Sequence, residues 1–314
     1  MKHYIYILVG LALSLSACIY DNLDDCPPVD ESIITQIKFL YDEAKEMETI
    51  PANELHTAML YVFDLDNRLV AFSEIKNPRL NDMVYDDLFV LKPEKYLFVV
   101  WFNPQPPYFI TPTVENLIKG TTLKNDGLFS LTIPPNRLVS SGITLPRSLY
   151  GREEKTIVNS ANNLVEIPVY QNTNRINISV KGLLPTNHTY RFAITDNNGV
   201  YTFDNDLAVC PPFSYTSDTH YTEEKLSTSL TVLRLVENRP TEPVLTIEDL
   251  STGEFLFPGS INVTNNLIEI IRTIYPGNDF SKRHVYDIDI EFRGAEIWIN
   301  GWKLVSADVE LTPW

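Results

Sequence analysis

The sequence predicts an all-β fold made of two β-sandwich domains in tandem, and three observations support it. Apolar residues occur in short runs of β-branched and aromatic side chains that turn residues separate. Proline is frequent and glycine is sparse, with 21 and 12 copies in 314 residues. No long segment shows the apolar period of a helix. Short strands at regular spacing are typical of antiparallel sandwiches.

The N-terminus has the pattern of an exported, lipid-modified protein. An apolar stretch follows Lys2 and His3; it is too short to span a membrane but fits a signal peptide. Its last letters, Leu-Ser-Ala before Cys18, resemble the bacterial lipoprotein signal. Residues 1–17 are therefore expected to be removed and Cys18 to carry acyl chains, which anchor a protein to a membrane without a spanning helix. An ordinary signal peptide that happens to precede a cysteine is the alternative.

The next segment, residues 18–30, is acidic and contains proline, so we interpret it as a solvated tether. Acylation of Cys18 leaves Cys26 and Cys210 in a compartment where disulfides persist. The one intrachain bridge open to them joins Cys26 to Cys210, and two free buried thiols are the alternative.

The first domain is expected at residues 31–163. The letters DLDNR at residues 64–68 predict a hairpin turn, and the prolines of NPQPPYFITPTVEN confine that segment to a loop or a sheet edge. Residues 114–120 are the best short helix, with Thr113 as its cap. Strands are expected at residues 33–41, 56–64 and 94–102, in LVAFSEI, and as short pieces in GLFSLTIP and SLYG.

The second domain is expected at residues 164–314. It begins with NLVEIPVYQNTNRINISVKGL, in which Ile176, Ile178 and Val180 alternate with polar residues as in a half-buried strand. The letters DNNG at residues 196–199 predict a hairpin between two β-rich arms. Further strands are expected in STSLTVLRLVE, PVLTIEDL, NLIEIIRTIY, VYDIDIEFRG and EIWINGWKLVSADVEL.

The sequence contains no catalytic, metal-binding or phosphate-binding motif, so we expect neither an enzyme nor a cofactor. A net charge of −16 argues against a nucleic-acid partner. The histidines of the mature chain lack metal-ligand spacing and are interpreted as surface or turn residues. They are His56, His188, His220 and His284.

Acidic and aromatic clusters give weaker indications. Asp287, Asp289 and Glu291 share one face of a predicted strand, which is compatible with Ca²⁺ or a glycan but more typical of a solvated strand face. The letters DLDN at residues 64–67 lack the rest of a calcium loop and are interpreted as a turn. The aromatic residues of NPQPPYF are the best indication of sugar binding.

Four segments carry a resemblance to a known family. The lipoprotein signal followed by IYDNLDDCP, a strand ending in IKFLYD, the hairpin LYVFDLDNRLV and the terminal IWINGWKLVSADVEL resemble the minor anchor subunits of type V fimbriae from Bacteroidales. The resemblance spans nearly the whole mature chain. It implies two transthyretin-like Greek-key sandwiches, acyl-chain anchoring at the surface of the outer membrane, and assembly with fimbrial shaft subunits by strand exchange.

The resemblance also implies a role for the first strand. In shaft subunits of this kind, an Arg-directed protease cuts after the first strand and so opens a groove for a donated strand. Here the first arginine is Arg68, and the segment between the first two strands contains Lys45 but no arginine. The chain is therefore expected to keep its first strand and to donate a strand without accepting one. A subunit of this kind would stand at the base and end polymerisation.

The donor candidate is the C-terminal strand, whose apolar side chains Ile297, Ile299, Trp302 and Leu304 would enter a partner's groove. The alternative is that this strand belongs to the protein's own second sandwich.

Two other functions compete with the anchor. A surface glycan-binding lipoprotein of a nutrient-uptake complex would show exposed Trp and Tyr clustered on one face. A lipid-anchored hydrolase would need an acidic pair in a cleft. An edge groove filled by the protein's own strand would instead favour the anchor.

Overall fold

The computed structural model describes residues 33–111, 117–140, 145–160, 163–183, 187–221, 225–259, 263–293 and 296–304. Strands dominate them, which confirms the all-β class. The helices are short, α1 (Glu43–Glu46) and α2 (Leu267–Ile274), with 3₁₀ turns at Ala52–Glu54 and Lys124–Asp126. Within these residues no helix has the length and apolar character needed to cross a membrane.

The strands follow one another closely along the chain. In order they are β1 (Ile33–Leu40), β2 (Thr57–Phe63), β3 (Leu69–Lys76), β4 (Val84–Leu91), β5 (Lys95–Phe102), β6 (Phe109–Ile110), β7 (Leu128–Leu131), β8 (Leu138–Ser140), β9 (Leu149–Thr156), β10 (Asn163–Gln171), β11 (Thr173–Lys181), β12 (Thr189–Asp196), β13 (Val200–Thr202), β14 (Phe213–His220), β15 (Leu226–Leu233), β16 (Val244–Asp249), β17 (Glu254–Phe257), β18 (Val285–Arg293), β19 (Glu296–Ile299) and β20 (Trp302–Lys303).

The N-terminal half is a seven-stranded sheet in the order β3-β2-β5-β9-β10-β1-β4. The sheet folds over at β10, which pairs with β1 along its first part and with β9 only from Val169 to Gln171. Two layers result, and apolar residues from both enclose a common core. Phe39 of β1, Leu60 of β2 and Phe98 of β5 are fully buried there. The half is therefore a sandwich made from one continuous sheet.

The C-terminal half consists of two five-stranded sheets, β15-β11-β18-β19-β20 and β17-β16-β12-β14-β8. Alternate residues of the facing strands fill the space between them, including Ile176, Ile178 and Val180 of β11, as the alternating sequence predicts. The sandwich character of both halves agrees with the predicted fold class.

Each half of the molecule contributes a strand to a sheet of the other half. β8 comes early in the chain but pairs with β14 in the second sandwich, with Leu138 opposite Ser214. β13 comes late but pairs with β7 in a three-stranded sheet β13-β7-β6 that lies against the first sandwich. One apolar core accordingly runs from Trp101 of β5 into the second sandwich. The halves are interlocked and are not simply joined end to end.

The predicted division between residues 163 and 164 remains a prediction. β10, which begins at Asn163, pairs with β1 in the first sheet, whereas β11 pairs with β15 and β18 in the second sandwich. We propose that Asn172, between β10 and β11, is the better boundary.

The hairpin predicted around DNNG is wrong. β12 and β13 flank these residues, but β12 pairs along its length with β14, from Thr189 opposite His220 to Asp196 opposite Phe213. β13 pairs with β7. The eight-residue partner offers many more hydrogen bonds than the three-residue arm that follows the turn. Local turn letters cannot reveal that competitor.

The strand predicted in NLIEIIRTIY is also wrong, because these residues form α2. Asn266 caps the helix and accepts hydrogen bonds from the backbone N–H groups of Ile268 (2.9 Å) and Glu269 (3.3 Å). The buried side chains are spaced as one helix face requires. They are Leu267, Ile268, Ile270 and Ile271.

Other differences from the prediction concern individual elements. The terminal EIWINGWKL forms the hairpin β19–β20, in place of one strand, with Asn300 and Gly301 at positive φ (46° and 81°). β4, β8, β14 and β17 have no counterpart among the predicted strands. Of the predicted helix at residues 114–120, residues 114–116 and the Thr113 cap lie outside the described residues, and residues 117–120 form a loop and a turn.

Candidate functional site: the first strand and the C-terminal hairpin

β1 occupies an interior position of its sheet. It runs parallel to β10, from Thr35 opposite Asn163 to Leu40 opposite Pro168. On its other side it runs antiparallel to β4, beginning with Ile33 opposite Leu91. Neighbouring strands therefore hydrogen-bond both edges of β1, and the slot between β10 and β4 is filled by the protein's own strand.

The inward side chains of β1 are part of the first core. Thr35, Ile37 and Phe39 are fully buried, and the Phe39 ring lies 5.1 Å from the ring of Phe102 and 5.5 Å from that of Tyr85. Burying one large apolar side chain contributes about 1.5–3 kcal/mol. Withdrawal of β1 would consequently open the core of the first sandwich.

Two side chains hydrogen-bond the backbone where β1 ends and the following segment, residues 42–55, begins. Asp42 accepts hydrogen bonds from the N–H groups of Ala44 and Lys45, both at 3.1 Å, and so starts α1. The Asn81 amide brackets Tyr41, accepting from its N–H at 2.8 Å and donating to its carbonyl at 2.9 Å. The chain is thus fixed in direction where it leaves β1.

Arg147 ties this segment to the end of the first sheet. Its guanidinium donates to Glu48 at 2.8 Å, to Glu54 at 2.8 Å and to the side-chain oxygen of Gln171 at 2.9 Å. Arg175 of β11 lies 3.5 Å from the same Glu48 carboxylate. The acidic side chains of residues 42–55 therefore contact both halves.

Glu46 makes the deepest of these contacts. Its carboxylate lies 2.9 Å from His284 Nε2, and the two side chains are only 3 % and 2 % exposed. The backbone N–H of Gln171 donates to the same oxygen at 3.3 Å. The prediction that His284 is a surface or turn residue is wrong, because α1 carries a carboxylate onto it from far along the chain.

Asn174 fixes the tautomer of His284. Its side-chain oxygen accepts from the N–H of Leu235 at 2.7 Å, so its NH₂ group faces His284 Nδ1 at 3.5 Å. Nδ1 must then accept, which places the ring proton on Nε2, directed at Glu46. The buried contact is accordingly a hydrogen bond in which Nε2 of His284 donates and the carboxyl oxygen of Glu46 accepts.

The other histidines are more accessible. His56 and His220 are exposed, as predicted, and His188 is half-buried with its Nδ1 2.7 Å from Asp249.

The C-terminal hairpin belongs to the second sandwich. β19 pairs with β18, and its Ile297 and Ile299 are 3 % and 1 % exposed in the shared core. Leu304 packs partly against the same core, whereas Trp302 is 63 % exposed at the sheet edge. Of the four donor candidates, the two isoleucines are thus held inside their own domain.

Asn300 fastens this hairpin to β18. Its backbone N–H donates to the Asp289 carbonyl at 2.8 Å, its side-chain oxygen accepts from the Asp289 N–H at 2.8 Å, and its NH₂ donates to the Asp287 carbonyl at 3.1 Å. The side chain thereby replaces a strand along the part of β18 that β19 does not reach. Asn300 was not among the predicted site residues, although Asn-Gly is a strong hairpin signal.

The cysteines are only partly described. Cys18 and Cys26 lie outside the described residues. Cys210 has a free, buried thiol, and its burial raises the pKa of that thiol. It lies in the second core, where a Cβ atom built on Gly199 would be 3.0 Å from its sulfur.

The direction of β1 bears on the predicted disulfide. β1 is parallel to β10, which runs toward the second half, so Ile33 lies at the far end of the first sandwich from Cys210. The eight residues of β1 span about 26 Å. Cys26 precedes Ile33 by seven residues, whose reach is at most about 25 Å. A bridge would need the tether to run back along the whole sandwich, which favours free thiols.

The acidic row on β18 is hydrogen-bonded by its neighbours. Asp287 accepts from Asn177 at 2.8 Å, Asp289 accepts from the Ser179 hydroxyl, and Glu291 pairs with Arg293. The part of the chain that the structure describes holds no group of three or more His, Cys, Asp or Glu placed for a metal ion. These contacts support the interpretation as a solvated strand face.

The aromatic residues that the structure describes do not form an exposed cluster on one face. A cleft of about 400 Å³ beside Arg147 is lined by Tyr108, the one aromatic ring that NPQPPYF contributes to it. Tyr108 is half-buried, and Phe109 is buried in the core. Among the described Trp and Tyr residues, Trp302 alone is largely exposed. The condition set for a glycan-binding surface is therefore not met within the described residues.

Comparisons with known proteins agree with this geometry. Residues 23–308 match the family model of fimbrillin-A associated anchor proteins Mfa1 and Mfa2. The chain is 25 % identical over 324 residues to the minor fimbrium anchoring subunit Mfa2 of Porphyromonas gingivalis, covering 96 % of this chain and 93 % of that protein.

Two solved structures share the fold. The fimbrial anchor protein Mfa2 of Porphyromonas gingivalis superposes with a TM-score of 0.69 at 19 % identity, over 88 % of this chain and 99 % of that one. A candidate polysaccharide-binding protein of Bacteroides thetaiotaomicron superposes with a TM-score of 0.70 at 17 % identity, over 88 % and 99 % of the two chains. At these identities the superpositions establish the fold alone.

Proposed function

Because the chain belongs to the family of fimbrillin-A associated anchor proteins, we propose that it is the lipid-anchored basal subunit of a fimbria. In this role it holds the shaft to the outer membrane through acylated Cys18 and ends polymerisation at the base. Its partners are shaft subunits and membrane lipid.

The filled slot between β10 and β4 is the observation that carries this proposal. A subunit that polymerises by accepting a strand needs an open groove with unpaired backbone groups. Here β1 satisfies both neighbouring strands, and residues 42–55 contain no arginine at which an Arg-directed protease would cut. The subunit therefore has no free acceptor groove in the first sandwich.

The strand it donates is best placed after Leu304. Ile297 and Ile299 are held in the second core, and their donation would break it. Residues 305–314 have the sequence VSADVELTPW, in which apolar and polar residues alternate as a groove-filling strand requires. We assign the donated segment to these residues.

The tether places the folded part above the membrane. Acylated Cys18 gives a firm anchor, because each buried CH₂ contributes about 0.8 kcal/mol. We further propose that Cys26 and Cys210 are free thiols. Mass spectrometry of the protein unfolded in an alkylating reagent without reductant is expected to find both alkylated, and a disulfide-linked Cys26–Cys210 peptide would overturn the assignment.

Deletion of the protein from its source bacterium tests the role. Loss of an anchor and terminator is expected to give longer fimbriae that are released into the medium, visible by electron microscopy and fractionation. Complementation of the deletion with the Cys18→Ala variant should restore the normal length of the fimbriae but not their attachment to the cell, because termination does not need the lipid. Fimbriae of normal length that stay on the cells after deletion would contradict the proposal.

The donor assignment has its own test. Val309→Asp puts a charge on the apolar face of the tail and is expected to abolish capture of the shaft subunit in a pull-down. Glu310→Lys changes charge on the opposite face and serves as the matched control. Equal capture by both variants would place the donor elsewhere.

A further inference from the structure

Residues 42–55 do more than connect β1 to β2. They cross from the first sandwich to the second and return, since β1 and β2 both belong to the first sheet. On the way, Glu46 reaches His284, which immediately precedes β18, and Glu48 reaches Arg147 and Arg175. We refer to this segment as the strap.

The contacts of the strap differ in depth. The Glu46–His284 pair is almost fully buried, and the Gln171 N–H and the Asn174 side chain lie within 3.3 Å and 3.5 Å of it. Ile50 is buried in the first core. The residues between these contacts are exposed, including Lys45, Met47 and Ala52. The strap is thus attached at a few buried points and open to solvent between them.

Loss of one partner of a buried polar pair is costly. It leaves the other partner without compensation in a site that excludes water, and the cost exceeds that of losing a hydrogen bond at the surface. His284 comes from the second half, so this contact resists any movement that draws β1 and α1 out of the molecule.

We infer that the strap is a second, non-covalent lock on β1, with the Glu46–His284 contact as its main point of attachment. It keeps β1 in the slot between β10 and β4 even when the backbone beyond Glu48 is broken. The consequence for assembly rests on the proposed function: the anchor stays unable to accept a strand after a nick in this segment. Strand retention itself does not depend on that function.

Two positions for an engineered nick separate the lock from strand pairing. A recognition sequence for a site-specific protease is inserted after Lys45 in one variant and after Ala52 in the other, both exposed positions. The nick after Ala52 leaves Glu46 and Glu48 on the fragment that carries β1. The nick after Lys45 leaves Glu46 and Glu48 on the other fragment, so the fragment that carries β1 ends before both contacts.

The readout is exchange of the nicked fragment for a labelled peptide of residues 31–45, followed by fluorescence anisotropy in the full-length protein. The fragment nicked after Lys45 is expected to exchange about 100-fold faster than the fragment nicked after Ala52, as the loss of a buried hydrogen-bonded pair implies. Equal exchange rates at the two positions would overturn the inference.

Substitution of Glu46 identifies the contact. Added to the variant nicked after Ala52, Glu46→Ala is expected to raise the exchange rate toward that of the Lys45 nick. Glu43→Ala, at an exposed position of the same helix, should leave the rate unchanged. If Glu46→Ala left the exchange rate unchanged, the contact between Glu46 and His284 would not be part of the lock. Comparison of the two nicks needs no substitution in the core, so it stands even where Glu46→Ala folds poorly.

The result also separates strand retention from the anchor role. Slow exchange after the Ala52 nick, together with normal fimbriae after gene deletion, would support the lock and reject the anchor function. Fast exchange together with released fimbriae would reject the lock and support the anchor function.

Discussion

At the residue scale, a few buried polar side chains connect segments that are distant in sequence. Asp196 is 2 % exposed and receives a hydrogen bond from Arg239, which also donates to Asn197 at 2.9 Å. Burial raises the pKa of Asp196 even with that partner present. The DNNG letters thus belong to a buried polar contact and not to a hairpin turn.

We expect Asp196→Ala to lower the free energy of unfolding by about 3–5 kcal/mol, because Arg239 would lose its buried partner. Urea unfolding followed by fluorescence measures the change. Asp218→Ala is the matched control, since Asp218 pairs with Arg191 at the surface with a side chain 44 % exposed, and it should cost at most about 1 kcal/mol. Equal losses for the two variants would contradict this expectation.

Asp279 makes the stability of the folded protein depend on pH. Hydrogen bonds from Ser281 and Lys282 lower the pKa of Asp279 from 3.8 to about 2. A carboxyl with a lowered folded-state pKa stabilises the protein above its unfolded pKa, and this stabilisation is lost as pH falls from 3.8 toward 2.

The Asp279→Asn variant should therefore be less stable than the parent at pH 6, and the difference should shrink as pH approaches the folded-state pKa. Because the side chain is 48 % exposed, solvent screening keeps the effect below about 1 kcal/mol. Urea titrations of both proteins across this range measure it. A stability difference between the two proteins that grows as the pH falls would contradict this expectation.

At the element scale, the strands that alternate cleanly were predictable. β3, β11 and β18 lie within a residue or two of the expected segments, because their inward residues repeat every second position. β2 and β5 are buried on both faces, and their short continuous apolar runs made them predictable. α2 was not, since Leu and Ile suit both a strand and a buried helix face, and the Asn266 cap decides between them. The β19–β20 hairpin likewise depends on one residue, Asn300.

Asn300→Ala is expected to loosen the C-terminal hairpin. It removes two side-chain hydrogen bonds to the backbone of β18, at about 1 kcal/mol each. Hydrogen–deuterium exchange should rise across residues 296–304 and remain unchanged in β1. Asn238→Ala, at another positive-φ position (58°) in an exposed turn, controls for the backbone conformation. Equal effects of both substitutions on the hairpin would exclude the bonding role of Asn300.

At the scale of the whole molecule, each half depends on a strand that the other half supplies. β8 completes the second sandwich, β13 completes the small sheet on the first, and one core contains residues of both. The strap adds the contact of Glu46 with His284.

We accordingly expect the protein to unfold as one cooperative unit. Calorimetry should give a single transition whose calorimetric and van't Hoff enthalpies agree. Fragments cut at Asn172 should not fold separately, because each would lack a strand and part of the core. Two separate transitions, or a folded C-terminal fragment with native circular dichroism, would contradict the interlocked arrangement.

The sequence by itself determined the all-β class, many of the strands, the arginine-free segment after β1 and the resemblance to fimbrial anchors. These features depend on residue types and on periods of a few positions, which the chain displays directly. Only the tertiary structure decided the pairing of β12 with β14, the exchange of β8 and β13, the burial of Ile297 and Ile299, and the contact between Glu46 and His284. Those features depend on which distant segments compete for the same strand edge or cavity, and local sequence carries no record of that competition.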